Sequence, residues 1–402
     1  EDAEEQMIKC GNFTSSSANQ SINLGWEPQF VLIKSSSNAM SWYIFDTMRG
    51  IVTGGNDSIL APNDNLAEET ATNYLDVTST GFISHFNALA GSRDYIYMAI
   101  RAPMMVEPKA ATDVFAVDNA GSGVAPAWES GFPVDFALYK SVVGSAGAAI
   151  GTRMLGNNEL FANTTAAVAA STAVQWDYSD GFYDDTSRSA NYVAWMWKRA
   201  KGYFDAVAYE GSGVAGRQIP HSLSVIPEMM WIKNRSINRP MYVYHKLGGG
   251  TKYLNLTDSS PFNPHITLWN NTDPTASVFT VSNTANTGAS GNDFIAYLFA
   301  TLDGISKVGS YTGTGSDINV DCGFSAGAKF ILIKRTDAAG DWYLYDTLRG
   351  IVAGADPFLK LNTTDAQNEG NDGIDPLSSG FIVTSSSSNN TSGGTYIFYA
   401  IA

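Results

Sequence analysis

Short apolar and aromatic runs, each bounded by Gly, Asn, Ser or Asp, recur along the whole chain. Runs of this length and punctuation predict β-strands. Frequent short strands and turns are typical of an antiparallel β-sandwich. The stretches around 64–75 and 161–175 predict short helices or a covering loop, and no stretch predicts a long amphipathic helix. In the last hundred residues the predicted strands lie near 306–311, 317–321, 329–334, 341–347, 358–362, 379–384 and 395–401.

One segment of this pattern occurs twice, at a distance of 300 residues. The first copy is FVLIKSSSNAMSWYIFDTMRGIVTG at 30–54, and the second is FILIKRTDAAGDWYLYDTLRGIVAG at 330–354. Self-similarity at a fixed spacing indicates a repeat architecture. With modules of about 100 residues, this spacing predicts two further copies between the ends. Weaker copies are visible where an apolar run again ends in lysine, in FALYK at Lys140 and MMWIK at Lys233.

The repeats predict an all-β chain of four tandem antiparallel β-sandwich modules. The predicted boundaries are 1–104, 105–201, 202–303 and 304–402. Only the segment 101–111, with two prolines, has the composition of a linker. The other connections run directly from a closing strand to the next opening strand. This continuity predicts modules that are packed end to end.

Composition and charge narrow the classes of function. The formal net charge is −15, and only 16 % of the residues are charged. Nucleic-acid binding requires basic side chains that displace phosphate counterions, and the sequence has no basic stripe. No apolar run reaches the roughly 18 residues of a membrane span. We therefore predict neither nucleic-acid binding nor membrane insertion. The chain starts at Glu1 with no visible signal peptide, and we expect it to begin inside a longer or processed product.

Eight side chains around the repeated strand and turn are candidates for ligand binding. An Asp–Arg pair at a loop tip offers charged hydrogen bonds, and exposed Trp or Tyr rings stack on sugar faces. The structural alternative is that Asp caps the turn, Arg bonds carbonyl groups, and the rings fill the core. Adjacent strand residues point to opposite faces, so we expect one ring of each pair to be exposed. The candidates are Trp42, Tyr43, Asp46, Arg49, Trp342, Tyr343, Asp346 and Arg349.

The copies differ at this turn. The third copy has His245 at the Asp position, and the second reads GTRMLG at 151–156. This difference favours the structural interpretation of the Asp–Arg pair. A lysine recurs at the end of one strand in every copy, and we predict that its stem covers the edge of the sandwich. These lysines are Lys34, Lys140, Lys233 and Lys334.

The sequence lacks the usual patterns of catalysis and cofactor binding. Its four histidines form no H-E-x-x-H pair, and there is no G-x-S-x-G elbow. GSGVAG at 211–216 matches a dinucleotide loop, but RQIP follows where that loop requires a helix. Acidic clusters at 180–185 and 365–375 lack the spacing of an EF-hand calcium loop. Cys10 and Cys322 lack the spacing of metal ligands. We predict a non-enzymatic protein with no cofactor and no metal.

Several stretches resemble a repeated concanavalin-like or jelly-roll module of tail-fibre-like and other virion proteins of marine tailed bacteriophages. They are FDAVAYEGSGVAGRQIPHSL at 204–223, PTASVF at 274–279, FIAYLFATLDGISKVGSYTGTG at 294–315 and FILIKRTDAAGDWYLYD at 330–346. The resemblance covers essentially the whole chain. It includes the order of the copies.

The resemblance also implies a function. It indicates a virion or extracellular protein, a tail-fibre or receptor-binding component that attaches to host-surface glycans. The expected partners are other virion proteins and the host glycan or receptor, and analogy with fibre proteins implies a homo-oligomer, namely a trimer. We expect recognition by the variable loops at 55–75, 85–94, 355–375 and 385–394. The alternatives are a purely structural role, as a capsid decoration or fibre scaffold, and a polysaccharide depolymerase with paired carboxylates.

Overall fold

The computed structural model describes residues 7–51, 54–86, 92–102, 105–120, 125–144, 146–171, 174–183 and 191–402. These residues form β-strands joined by turns and loops. Within them, short 3-10 helices lie at Ala111–Asp113, Arg153–Leu155 and Gly249–Thr251. The strands pair in antiparallel fashion within several sheets. The predicted all-β class with antiparallel β-sandwiches is confirmed.

The first two stretches of the chain each form one larger and one smaller sheet. The first contains β1 (Ile8–Thr14), β2 (Gln20–Asn23), β3 (Pro28–Ser35), β4 (Tyr43–Asp46), β5 (Leu75–Thr78), β6 (Gly81–Ser84) and β7 (Asp94–Arg101). Their orders are β1-β7-β3-β4 and β2-β6-β5. The second contains β8 (Phe115–Asn119), β9 (Trp128–Glu129), β10 (Phe136–Ser141), β11 (Ala149–Thr152), β12 (Asn158–Phe161), β13 (Ala169–Ala170), β14 (Gly181–Phe182) and β15 (Tyr192–Trp197). Their orders are β13-β12-β11-β10-β15-β8 and β14-β9.

The third and fourth stretches are built in the same way. The third contains β16 (Phe204–Glu210), β17 (Arg217–Pro220), β18 (Met229–Asn234), β19 (Tyr242–His245), β20 (Lys252–Asn255), β21 (Asn263–Pro264), β22 (Val278–Val281) and β23 (Asp293–Phe299). Their orders are β16-β23-β18-β19-β20-β21 and β17-β22. The fourth contains β24 (Ser306–Thr312), β25 (Ile318–Asp321), β26 (Phe330–Arg335), β27 (Trp342–Asp346), β28 (Leu359–Lys360), β29 (Ile374–Leu377), β30 (Gly380–Val383) and β31 (Thr395–Ile401). Their orders are β24-β31-β26-β27-β28 and β25-β30-β29.

Each larger sheet places its last strand between its first strand and the strand that carries the recurring lysine. Thus β7 lies between β1 and β3, and β31 lies between β24 and β26. The registers agree as well, because Phe30 pairs with Ile100 and Phe330 pairs with Ile401. Residues of different stretches can therefore be matched position by position. The domain boundaries and the count of modules stay predictions.

One hydrophobic core lies between the two sheets of each stretch. In the first stretch it contains Phe13, Val31, Phe45, Phe82 and Tyr97, which all have little or no exposed surface. Separate clusters of the same kind occupy the second, third and fourth stretches. Because side chains alternate along a strand, this core uses only one face of each larger sheet.

The opposite faces of the second, third and fourth larger sheets meet in a further core, which we call the shared core. The ring centroids of Phe136 and Tyr297 lie 4.6 Å apart, and those of Trp197 and Phe330 lie 5.4 Å apart. Phe299 contacts Tyr399 with centroids 5.1 Å apart. The prediction of modules packed end to end is therefore wrong for these three stretches. Their central strands are apolar on both faces, and two-sided burial is what such strands require.

One further detail differs from the pattern-based expectation, and one alternative that the pattern left open is decided. The structure adds β29, which the apolar alternation does not predict because Asp375 and Pro376 interrupt it. The described parts of 64–75 and 161–175 contain no helix; they are loop apart from β13 and the strand ends Leu75 and Phe161.

Candidate functional site

The two predicted Asp–Arg pairs have the same local structure. The carboxylate of Asp46 accepts the backbone N–H of Arg49 at 2.9 Å and its Nε–H at 2.6 Å, and Asp346 and Arg349 repeat both distances. Each Arg also donates from Nη2 to a carbonyl oxygen of the strand that leads into the turn, Ile44 or Leu344. The turn continues through a glycine with positive φ, Gly50 or Gly350 in the respective copy. The aspartate thus caps the turn and the arginine folds back on it.

The surroundings of the two pairs differ. Asp346 has no exposed surface, and its Oδ2 accepts the indole Nε1–H of Trp195 in the second larger sheet at 3.0 Å. The Arg349 guanidinium carbon lies 5.5 Å from the centre of the same indole ring. Asp46 keeps 23 % of its side chain exposed, and Arg49 reaches Glu68 at 3.1 Å instead. One pair therefore joins two sheets, whereas the other lies at the surface.

The aromatic candidates follow the alternation of the strands. Tyr43 and Tyr343 point into the cores between the larger and smaller sheets, where they contact Tyr74 and Phe358. Trp342 points the other way, is only 1 % exposed, and donates from Nε1 to the carbonyl oxygen of Asn255 at 2.9 Å. This burial leaves no room for a sugar at Trp342.

Trp42 lies immediately before β4, two residues from Ile44, and this spacing places it on the same side as Ile44 and Asp46. Its side chain is 37 % exposed. Of the two predicted tryptophans, only Trp42 is open to a binding partner. Ligand binding by the candidates of the first copy, or by those of the fourth, stays a prediction.

The recurring lysines have a role that the sequence interpretation missed. Lys140, Lys233 and Lys334 have no exposed surface, so the prediction that they cover a sandwich edge is wrong for these three. Burial lowers the pKa of each ammonium group to about 8. Each ammonium donates to one or two carbonyl oxygens of a neighbouring stretch, in a loop or at the strand end that leads into it. The acceptors are Lys360 and Thr363 for Lys140, Thr165 for Lys233, and Ser259 for Lys334.

A backbone hydrogen bond accompanies each of these contacts. The residue two positions after the lysine accepts an N–H from the same neighbouring loop. The three pairs of donor and acceptor are Gln367 and Val142, Val168 and Arg235, and Phe262 and Thr336. The second stretch thus contacts the fourth, the fourth contacts the third, and the third contacts the second. The contacts therefore form a closed ring. Each stretch offers its lysine to the loop of one neighbour and its own loop to the lysine of the other neighbour.

His245 takes the place of the aspartate in the third stretch, as the sequence predicted. It has no exposed surface, and burial lowers the pKa of its imidazole to about 3. Its Nδ1 accepts the backbone N–H of Leu247 at 3.1 Å. The neutral ring therefore belongs to the packed interior and has no access to a substrate.

The first larger sheet carries an apolar surface that we call the open face. Its side chains point away from the smaller sheet, on the side that corresponds to the shared core. Ile8 is 55 % exposed and Ile96 is 44 % exposed. A partly solvated sheet usually presents polar residues on its outer side, whereas apolar residues prevail on this one, with polar residues such as Asn12 and Lys34 at their margin. The open face consists of Ile8, Cys10, Phe30, Leu32, Trp42, Ile44, Leu60, Ile96, Met98 and Ile100.

A shallow depression of about 720 Å³ that is widely open to solvent, which we call the cleft, lies between two loops of the fourth stretch, and both were predicted as recognition loops. Its groups are amides, hydroxyls and one carboxylate around an aromatic ring, a combination that suits a polyhydroxylated ligand. Gln367 donates to the carboxylate of Glu369 at 3.2 Å, which orients both groups. The lining residues are Phe358, Gln367, Asn368, Glu369, Gly370, Asn371, Ser386 and Ser388.

The described ranges lack two kinds of site. No group of three or more His, Cys, Asp or Glu side chains there could hold a metal ion. No helix of the described part is long and apolar enough to cross a membrane. Cys10 is exposed and Cys322 is buried, and both are free thiols. Asp184 and Asp185 of the first acidic cluster lie outside the described residues.

Comparison with known proteins adds one finding to this geometry. No curated protein matches the chain. One family model matches residues 8–103 and 119–402, which is most of the sequence. The chain belongs to the family described as Domain of unknown function (DUF7483).

Proposed function

We propose that the chain is a non-enzymatic virion protein, a tail-fibre or receptor-binding component that attaches to host-surface glycans. The observation that carries this proposal is the cleft between the loops at 355–375 and 385–394. It presents amide and hydroxyl groups of Gln367, Asn371 and Ser388 beside the ring of Phe358. Sugars are bound by such groups, which hydrogen-bond hydroxyls while an aromatic edge contacts the apolar side of the sugar ring.

The scaffold supports the same function. The cleft belongs to a stretch whose larger sheet is fixed by the shared core, so its loops rest on a packed base. A shallow sugar site is weak by itself. Several chains on one particle would raise the apparent affinity through multivalency.

Removing two polar groups of the cleft tests the proposal. We expect the double variant Glu369→Ala/Asn371→Ala to bind bacterial surface glycans at least tenfold more weakly than the wild type, because it loses a carboxylate and an amide. The measurement is binding of fluorescent protein to an array of bacterial surface polysaccharides. Asn319→Ala is the matched control, since Asn319 is exposed on β25, away from the cleft.

Two results would contradict the proposal. One is a wild-type chain that binds no glycan on the array, and the other is a double variant that binds as well as the wild type. Release of reducing sugar from a bound polysaccharide by the purified chain would show a depolymerase and would overturn the non-enzymatic assignment.

A purely structural role, as a fibre scaffold or capsid decoration, is the second candidate. The open face favours it, because contiguous exposed apolar surface marks sites of protein association. Cryo-electron microscopy of intact particles distinguishes the two candidates. A position at the distal end of a fibre supports glycan attachment, whereas a position covered by capsid or fibre subunits on every side supports the structural role.

A further inference from the structure

The open face of the first larger sheet matches the buried face of the fourth position by position. The register of the strands gives the correspondence: Phe30 and Phe330 occupy one position, and Leu32 and Leu332 another. The counterparts in the fourth sheet are all buried, nine of them within the shared core. These counterparts are Ser306, Val308, Phe330, Leu332, Trp342, Leu344, Leu359, Ile397, Tyr399 and Ile401.

The first larger sheet therefore has the composition of a sheet that is buried on both sides. β3 reads FVLI and β7 reads YIYMAI, so apolar residues continue through the outward positions. Strands with one solvated face normally alternate between apolar and polar residues. In contrast, Ile96 is 44 % exposed while its counterpart Ile397 is 1 % exposed.

The hydrogen-bonding groups of the shared core are also present around the open face. Lys34 donates to the carbonyl oxygen of Met40 at 2.6 Å, as Lys334 does to Gly340 within its own stretch at 2.8 Å. Lys334 has an additional acceptor in the next stretch, the carbonyl oxygen of Ser259. Among the described residues, the ammonium of Lys34 has no such second acceptor.

The loop at 61–68 corresponds to the loop that receives the lysine in the ring of contacts. Asn63 accepts the backbone N–H of Trp42 as Asn362 accepts that of Trp342. The same register places Glu68 at the position of Gln367, whose N–H donates to Val142 in the neighbouring stretch. The loop at 61–68 is exposed along nearly its whole length. The first stretch thus carries both surfaces of the ring, the lysine side and the loop side.

We propose that the open face binds the same face of two further copies of this chain, so that three first larger sheets enclose a second core like the shared core. In this assembly Lys34 of each copy donates to carbonyl oxygens of the 61–68 loop of the next copy. The carbonyl oxygen of Ser36 accepts the N–H of Glu68 from that same loop.

The number of copies follows from the ring within the chain. The contacts are head to tail, and head-to-tail contacts close only at a fixed number of units. Within the chain, three sheets complete the ring, and each of the three lysines reaches a neighbouring stretch. The first larger sheet has matching residues and the same register as the fourth. We therefore expect it to complete an equivalent ring with two other copies. Burial of the ten apolar side chains of the open face favours association by the hydrophobic effect.

Molar mass in solution tests this inference. We expect wild-type protein at about 10 μM to have three times the 43.1 kDa mass of one chain in light scattering coupled to size-exclusion chromatography. Ile96→Asp, which places a charge on the open face, is expected to have the mass of one chain. Ile266→Asp is the matched control, because Ile266 is 65 % exposed outside the open face, and it should keep the threefold mass.

The native thiols provide a second readout. Cys10 lies on the open face and Cys322 is buried within its own stretch. We expect Cys10 to react at least tenfold more slowly with a thiol reagent in the wild type than in Ile96→Asp, with Cys322 unreactive in both. Unchanged far-ultraviolet circular dichroism shows that Ile96→Asp is folded. Lys34→Ala, which removes the cross-chain donor, is expected to raise the concentration of half-dissociation at least tenfold.

Several outcomes would overturn the inference. They are a wild-type mass of one or two chains at 10 μM, a readily reactive Cys10 in the wild type, a threefold mass in folded Ile96→Asp, or an open face that takes up a different protein. None of these outcomes depends on glycan binding, because the open face and the cleft share no residue. The experiments on the trimer and those on glycan attachment can therefore fail independently of each other.

Discussion

Trp342→Ala is expected to lower the free energy of unfolding by about 3–5 kcal/mol, the usual cost of truncating a large buried aromatic side chain. Trp342 is 1 % exposed and lies in the shared core. Its loss leaves a cavity between the third and fourth larger sheets and deprives the carbonyl oxygen of Asn255 of its donor. Urea denaturation followed by circular dichroism measures the effect through linear extrapolation to zero denaturant.

The equivalent tryptophan of the first stretch is the matched control. Trp42 is 37 % exposed in the single chain, so its truncation removes fewer contacts. In the Ile96→Asp background, which we expect to be monomeric, Trp42→Ala should cost less than about 1 kcal/mol. Equal losses for the two tryptophans would contradict the difference between a buried face and an open face.

Asp346→Ala is expected to have an effect of similar size for an electrostatic reason. It removes the acceptor of Arg349, whose side chain is only 5 % exposed, and the acceptor of the Trp195 indole. Breaking a buried ion pair by removing one partner costs about 3–5 kcal/mol, because the remaining charge loses its compensation. Urea denaturation again gives the change in the free energy of unfolding.

Asp46→Ala serves as the control for this variant. Asp46 caps the same turn, but Arg49 then retains Glu68 as a partner and contact with water. Exposed ion pairs contribute about 0–1 kcal/mol, so we expect a loss of about 1 kcal/mol, including the lost cap. A loss at Asp46 as large as the loss at Asp346 would show that the turn itself, and not the contact between sheets, determines the cost.

Local pattern was sufficient to predict most of the strands. Runs such as FILIK and YIFYAI are bounded by glycine or polar turns, and both form strands of the fourth larger sheet. β29 was harder to predict because Asp375 and Pro376 place a charge and a missing N–H donor within a strand of four residues. The Asp–Arg turn was predicted correctly as a structural motif, because its hydrogen bonds are local.

The shared core depends on contacts between distant parts of the chain, and the local pattern indicates it only indirectly. The available signal was that β10, β18 and β26 are apolar at consecutive positions, which indicates burial on both faces. The sequence of the strand does not identify which residues pack against that second face. The same holds for Lys140 and Lys233, whose acceptors lie in loops of other stretches and can be identified only once the sheets are placed together.

The candidate site was predictable to a similar extent. The variability between the end copies pointed to the loops at 355–375 and 385–394, and the structure brings the two together around one cleft. The individual lining residues had no distinguishing pattern, because amide and hydroxyl side chains are common throughout this chain. Trp42 and Trp342 share one motif, yet one is open and the other buried. That difference arises from neighbouring sheets and not from the motif.

A double-mutant cycle between Trp195 and Asp346 tests most directly whether the second and fourth stretches share one core. The indole Nε1 and the carboxylate Oδ2 are 3.0 Å apart, although the residues are 151 positions apart in the chain. We expect Trp195→Phe and Asp346→Ala to show a coupling of about 1–2 kcal/mol in the free energy of unfolding, since each variant removes the same hydrogen bond. Losses that simply add, within about 0.5 kcal/mol, would contradict a contact between the two sheets.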